Sequence, residues 1–529
     1  MGIPSYYRKL CSVIKGLRVT HRRSGENAVD WFFMDFNCLI YHCLRKPELP
    51  VYTAATHDEW EQHLIDAVTV YCRNVIQHVA PTKGVYIAID GVVPMAKMRQ
   101  QRLRRFKSVW LKKRGPEGPF GPEGSKGWDT NAITPGTLFM KKLRVGLEAM
   151  IRQYAPVNVV PLWQLSSSDE PGEGEHKIMA QWRTGQYPGQ VAIYGLDADL
   201  IVLAMLGLTC HAVGPLQSQV WLFREEVEKG QMVYDAAGDE VFEWFSIHAL
   251  RDWLTAWSSS EAQQTQFILD YCFAMSVLGN DFLPSSLGYK MREDGHDALL
   301  RILHQLVAQG VTLIGADMEL VGAGVQALFR GLAAKEGDRI LAYILRKQQQ
   351  AHHAAETGLG ENNWPLGHME EMRFMQGRQL HPAWRIRYVT WLGLPFGDAS
   401  VQRLCAEYQQ GVQWIWAYYT GRPVCYNWFY PYALPPLWEY LQHAVTSYVS
   451  TPILVRAEDI RPVEQLALVL PLESWSLIPV GNRETRLPLV APPFYPSEFG
   501  FDSMGKRFFW ECEAMIPIPT ILEVKELLA

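Results

Sequence analysis

Three short apolar runs constrain the fold of this chain more than any other feature: Asp30-Trp-Phe-Phe-Met-Asp35, Gly84-Val-Tyr-Ile-Ala-Ile-Asp90 and Gln190-Val-Ala-Ile-Tyr-Gly-Leu-Asp197. Each reads as a buried strand, and each ends in aspartate. Between Val29 and about Leu206 such runs alternate with longer amphipathic or polar stretches, which predicts an α/β fold with a central, mainly parallel sheet flanked by helices. In open α/β sheets the ligand crevice lies outside the carboxyl ends of the strands. Three strands that end in this way can deliver three carboxylates to one place.

Further acids stand nearby in sequence: Glu173 and Glu175 in Glu-Gly-Glu, Asp199 in Leu-Asp-Ala-Asp-Leu, and Asp281 in Gly-Asn-Asp-Phe. Taken singly, an aspartate after a strand is most simply a solvated loop carboxylate or a helix N-cap. Glu173 and Glu175 could equally mark a turn entering a helix, where acids suit the dipole. Convergence of three strand ends weakens that reading. Seven converging carboxylates, Asp35, Asp90, Glu173, Glu175, Asp197, Asp199 and Asp281, would repel one another by several kcal/mol per close pair at an effective dielectric of about 20. Cations must resolve that repulsion. No His or Cys is spaced for zinc, so hard oxygen ligands favour Mg²⁺ or Mn²⁺. Two such ions roughly 3.5–4 Å apart can activate a water and stabilise the leaving oxygen of a phosphodiester.

A second constellation follows Asp90-Gly-Val-Val. In Pro94-Met-Ala-Lys-Met-Arg-Gln-Gln-Arg-Leu-Arg-Arg-Phe-Lys107, Pro94 is placed to start a helix, and Lys97, Gln101, Arg104 and Arg105 then share one helical face. Met95 to Gly115 holds nine Lys or Arg and no acid, in a chain of formal net charge −5. Charge runs are usually solvated faces. This one stands beside a strand-end acid and reads as a phosphate-binding face, suited to arginine's forked donors. Anchoring a terminal phosphate there while metal ions act on the next linkage would measure one nucleotide from an end.

Composition removes other classes. With 48% hydrophobic residues the 529-residue chain can bury a large core, and no apolar run is long enough to span a membrane, which takes about 20 residues. Gly2 invites acylation, but Tyr6 holds the place where that pattern wants Ser or Thr. Nine scattered cysteines without a C-x-x-C pair read as reduced, buried thiols. The expectation is a soluble, intracellular protein, cytoplasmic rather than nuclear, acting as a monomer. Residues 115–127 read as an irregular Gly/Pro-rich loop, 301–370 as a helical and polar connector, and 371–529 as an aromatic-rich C-terminal region after a core spanning 1–300.

Taken together these residues resemble the XRN family of 5′-to-3′ exoribonucleases. The resemblance rests on Met1-Gly-Ile-Pro-Ser-Tyr-Tyr-Arg-Lys-Leu10, the segment from Asp90 to Phe106, Ile133-Thr-Pro-Gly-Thr137, Pro171 to Ile178, Tyr194 to Leu200 and Gly279-Asn-Asp-Phe-Leu-Pro284. It is looser in Trp428-Phe-Tyr-Pro-Tyr432, Tyr495-Pro-Ser-Glu-Phe499, Asn482 and Gly505-Lys-Arg-Phe508. It implies a PIN/FEN-like nuclease core, seven metal-ligating carboxylates, and a pocket of Lys97, Gln101, Arg104 and Arg105 for the 5′-phosphate of single-stranded RNA. The family holds the first base between a histidine and a tryptophan. Here Tyr41 occupies the histidine's slot and His42 follows one place late, so either ring could stack, with Trp428 the candidate on the other side. The resemblance implies a compact member, as a viral or protistan one would be. The competing expectations are a silent RNA-binding protein that keeps the fold and a structure-selective flap endonuclease.

Overall fold

In the computed structural model of the chain, residues 2–3, 5–20, 28–113, 127–154, 162–185, 187–195, 197–210, 219–228, 231–358, 360–444 and 452–529 are described. The expected Gly/Pro-rich loop lies outside them except for Gly127. The frame is a seven-stranded sheet of β1 (Arg18–Val19), β2 (Trp31–Asp35), β3 (Gly84–Ala88), β4 (Leu162–Ser166), β5 (Val191–Tyr194), β6 (Val220–Glu225) and β7 (Phe242–Ser246). The spatial order is β1-β7-β6-β5-β2-β3-β4. From β6 to β4 every neighbouring pair is parallel, and β7 runs antiparallel between β6 and β1. All three predicted strands form, and they are adjacent, with β2 between β5 and β3.

Both faces of the sheet are covered, which explains why these strands read as continuous apolar runs. Phe32 and Met34 point to one side, into a core shared with α2 (Asn37–Arg45), α3 (His57–Val79) and α5 (Leu138–Tyr154). Phe33 points to the other, among α1 (Tyr6–Val13), α6 (Gly174–Trp182) and α7 (Asp199–Cys210). The apolar run Leu200 to Leu208 is the buried body of α7, and no described helix is long and apolar enough to cross a membrane. The eight cysteines whose side chains are described are all free, and six are buried.

The second core cluster on the α7 side extends far beyond the sheet. It includes Leu299, Ile302, Leu303 and Leu306, the residues whose spacing predicts a helix and which lie on Gly295–Ala308, together with Trp414 and Trp416 of the helix Asp398–Tyr419. The 301–370 stretch contains the helices Gly322–Ala333 and Glu336–Thr357. A separate apolar cluster joins the basic helix α4 (Met95–Lys113) to residues 455–524: Met95, Met98, Leu103 and Phe106 pack with Leu466, Leu468, Tyr495, Phe501 and Ile521.

Candidate active site

The sheet brings the predicted acids to its carboxyl edge. Asp35 is the last residue of β2, Asp90 stands just beyond β3, and Asp197 stands just beyond β5 with Asp199 opening α7. Glu173 caps the start of α6 and Glu175 lies in its first turn. One carboxylate oxygen from each of Asp35, Asp90 and Glu175 falls within 4.8 Å of the others, and a second group of the same tightness joins Glu173, Glu175 and His176. Asp281 arrives from a turn fixed by Asn280, whose Oδ1 accepts from the backbone N–H groups of Phe282 and Leu283, both at 2.9 Å.

Local hydrogen bonds hold these groups in place. Asn37 Nδ2 donates to Asp90 Oδ2 at 2.9 Å, Gly174 N donates to Asp90 Oδ1 at 2.7 Å, and the Tyr418 hydroxyl donates to Glu173 Oε1 at 2.8 Å. Lys177 Nζ ties the neighbouring strand ends by donating to Ile89 O and Ser167 O at 2.7 and 2.8 Å. Gly2 lies so close to Asp199 that a Cβ there would sit 2.5 Å from its Oδ1. Gly2 is therefore buried against Asp199.

The electrostatics are those of crowded anions. Burial, then Asp90 and Asp197, raises Asp35 well above the carboxylate range; burial and then Glu173 do the same to Glu175. Burial, Asp197 and Asp281 push Asp199 up to about 7. Asp199 Oδ1 is buried with no hydrogen-bond partner. Among the described residues Lys97 pairs directly with the acids: its Nζ lies 2.5 Å from Glu173 Oε2, 3.0 Å from Asp281 Oδ2 and 4.0 Å from Glu175 Oε1. Burial works against its charge, but Glu173 and Asp281 outweigh that and hold Lys97 well above the usual lysine range. Lys97 alone does not balance the acids gathered here. An oxygen-rich cluster with an orphaned buried carboxylate oxygen fits hard divalent cations.

The basic helix divides its charge among three tasks. Lys97 faces the acids. Arg102 and Lys107 face the C-terminal region, where Arg102 donates to Leu468 O at 2.7 Å, Pro517 O at 3.0 Å and Phe494 O, and Lys107 donates to Cys512 O at 2.8 Å and to Phe509 O. The remaining flank carries Gln101, Arg104 and Arg105. Arg104 is exposed, whereas Gln101 and Arg105 are each 7% exposed. Gln101 Oε1 accepts from Gln465 Nε2 at 3.4 Å. Arg105 Nη1 is buried without a hydrogen-bond partner, and burial pulls this guanidinium down to about 10. A buried, unanswered guanidinium is costly to maintain and is complementary to an anion.

The three aromatic candidates separate. His42 stacks on Tyr71 with centroids 4.5 Å apart and bonds Glu240 Oε1 at 3.1 Å, so its ring is already engaged. Tyr41 is half-buried and close enough to Arg105 to act on its charge. Trp428 is 7% exposed and lies on Trp414 at 5.0 Å, within the core. Two residues before it, Tyr426 is half-buried, and its carbonyl accepts from Met95 N at 2.7 Å at the start of the basic helix. Tyr426, Asn37, Lys177 and Tyr418 contribute to the site without having been singled out from sequence. Asn37 could have been noticed, since it follows the β2 aspartate by two places; Tyr418 could not, because it arrives from a distant helix.

The site is thus a PIN-like sheet with acids at its carboxyl edge and a basic helix beside them. The family description "XRN 5'-3' exonuclease N-terminus" matches residues 1–214, and "Xrn1 helical domain" matches residues 394–528. The chain belongs to the XRN family. Similar proteins include human 5'-3' exoribonuclease 1, 26% identical over 98% of this chain and 33% of its own length. Others are 5'-3' exoribonuclease 2 of Kluyveromyces lactis, 30% identical over 68% of this chain and 42% of its own length, and 5'-3' exoribonuclease 1 of Saccharomyces cerevisiae, 31% identical over 57% and 20%. The aligned part thus spans less than half of each of these relatives.

Proposed function

We propose that this chain is a 5′-to-3′ exoribonuclease that hydrolyses single-stranded RNA bearing a 5′-monophosphate to mononucleotides, using Mg²⁺ or Mn²⁺, and so serves RNA decay. The observation that carries the reading is the orphaned Arg105 guanidinium on the helix that also places Lys97 among the acids. Arg105, with Gln101 and Arg104, would take the terminal phosphate, and Lys97 would bridge that pocket to the carboxylates. Two divalent ions held by Asp35, Asp90, Glu173, Glu175, Asp197, Asp199 and Asp281 would supply water activation and charge stabilisation at the leaving oxygen.

The chain's own residues do the positioning. Asn37 and Gly174 N fix both oxygens of Asp90, and Tyr418 fixes Glu173. Tyr41 would stack on the first base, with His42 committed to Tyr71 and Glu240. Residues 371–529 would complete the pocket that 1–300 begins, because Gln465 braces Gln101. A pocket built for one monophosphate would reject a cap or triphosphate through sterics and unpaired charge. The relatives' names agree with this activity.

The test is incubation of 5′-monophosphate RNA with the protein, with Mg²⁺ or with a chelator, resolving products by size. Metal-dependent release of mononucleotides from the first time point is expected. Discrete oligonucleotides would favour a flap endonuclease, and binding without release would favour a silent RNA-binding protein.

A further inference from the structure

A cavity of about 850 Å³ lies on the flank of α4 away from Gln101 and Arg105. It touches Asp281 and Gly2 at the edge of the acid cluster and Arg104 at the border of the phosphate pocket. From there it runs past Lys290 and Lys506 to a mouth formed by Arg292, Arg507, Phe508 and Trp510. Nine lysines and arginines line it against four acids, in a chain whose formal net charge is −5.

Four of these cations, Arg99, Arg292, Arg346 and Lys347, pair with Glu513, Glu511, Glu293 and Glu371. Lys290 Nζ donates to Ser285 Oγ at 3.3 Å and lies 5.2 Å from the centre of the Tyr343 ring, and neither Lys290 nor Lys506 forms an ion pair among the described residues. A Cβ at Gly505 would come within 3.1 Å of Lys290 Nζ, so the glycine preserves the space around that ammonium. Burial, then Lys506, pulls Lys290 down to about 8, as expected of a cation lacking its anion.

The mouth has a different chemistry. The rings of Phe508 and Trp510 are nearly parallel, 14° apart with centroids at 5.9 Å. The Arg292 guanidinium lies 4.9 Å from Phe508 and 5.6 Å from Trp510, and Arg507 lies 4.7 Å from Phe508. Trp510 is 46% exposed, although a ring of that size is ordinarily well covered. Aromatic faces interleaved with arginine beside a cationic groove are the chemistry that holds unpaired bases and their phosphates without sequence preference.

We infer that this cavity is a second nucleotide-phosphate site, which takes the nucleotides of the RNA strand on the 3′ side of the bond being cut. The inference rests on the exoribonuclease reading for its direction. Phosphates would sit against Lys290, Lys506 and Arg292, and a base would stack at Phe508 and Trp510. Such a track would favour long substrates, because a short one never reaches the mouth.

The experiment compares kcat/KM for a 5′-phosphorylated trinucleotide and for a single-stranded RNA of about 20 nucleotides, in the wild type, Arg292→Ala and Trp510→Ala, with thermal melts to confirm folding. The expected result is a long-to-short ratio lowered about tenfold in each variant, the size of one lost stacking contact. An unchanged ratio in folded variants would overturn the inference. A second readout is photo-crosslinking of a 5′-phosphorylated strand carrying 4-thiouridine beyond its third nucleotide, which should mark the peptide containing Phe508 and Trp510. Marking by free 4-thiouridine 5′-monophosphate and not by the strand would overturn the assignment to the strand. A wild type that cuts neither RNA yet crosslinks at the mouth would sink the catalytic reading and leave the site standing.

Discussion

Arg102 and Arg105 stand three places apart on one helix and have opposite surroundings. Arg102 answers three backbone carbonyls, while Arg105 keeps a buried nitrogen without a partner. Replacing Arg105 with alanine is expected to lower kcat/KM on 5′-monophosphate RNA about thirty- to a hundredfold, from about 2–3 kcal/mol of charge-assisted bonding, and to leave the slow cleavage of 5′-hydroxyl RNA unchanged. Equal losses on both ends would remove Arg105 from the phosphate pocket. The neighbouring aromatics should divide in the same manner. Tyr41→Ala is expected to raise KM about tenfold through a lost base stack, with little effect on melting. His42→Ala should instead cost about 1–2 kcal/mol of stability, read as a lower Tm, because its ring is held by Tyr71 and Glu240.

At the scale of elements, the basic helix shows what periodicity can and cannot tell. The spacing of Lys97, Gln101, Arg104 and Arg105 put them on one side, and the structure keeps them on neighbouring flanks. Which flank meets what is a tertiary fact. Lys97 turned toward Glu173 and Asp281, and Arg102 and Lys107 became anchors for a region some 400 residues away in sequence, as their hydrogen bonds show. Nothing in a run of cations says which of them will meet carbonyls rather than phosphate. Trp428 illustrates the same limit: the aromatic motif was visible, but the choice between Trp428 in the core and Tyr426 beside the helix start depended on packing against Trp414. Arg102→Met is expected to destabilise the protein by about 3 kcal/mol, measured by denaturant unfolding, because buried carbonyls lose charged donors. An unchanged midpoint would mean that the C-terminal region does not depend on this anchor.

Across the whole molecule, the acid cluster is the product of topology. Three strand-end aspartates could be read in advance because adjacent parallel strands end on one edge, and the apolar runs announced those strands. The support from Tyr418 could not, since it comes from a helix packed later in the chain. The cluster also sets a pH dependence. Asp199, pushed up to about 7 by burial and by Asp197, holds its proton in the folded state over a range where the unfolded chain has lost it. Its contribution to stability is therefore full at acid pH and is lost as pH rises through about 7. Without divalent cations the protein should melt lower at about pH 8 than at about pH 6, and Mg²⁺ should raise Tm more at the higher pH. A metal-induced shift that is larger at the lower pH would contradict the cluster as the ion site.

The central claim joins that cluster to the phosphate pocket, and one measurement bears on both: degradation of a single 3′-labelled RNA prepared with a 5′-monophosphate, a 5′-triphosphate or a 5′-hydroxyl, in Mg²⁺, by the wild type and Asp197→Ala. Rapid consumption of the monophosphate RNA, with the other two ends degraded far more slowly, and loss of activity on the substitution are the predicted results. Equal degradation of all three ends, or activity that survives loss of Asp197, would contradict it.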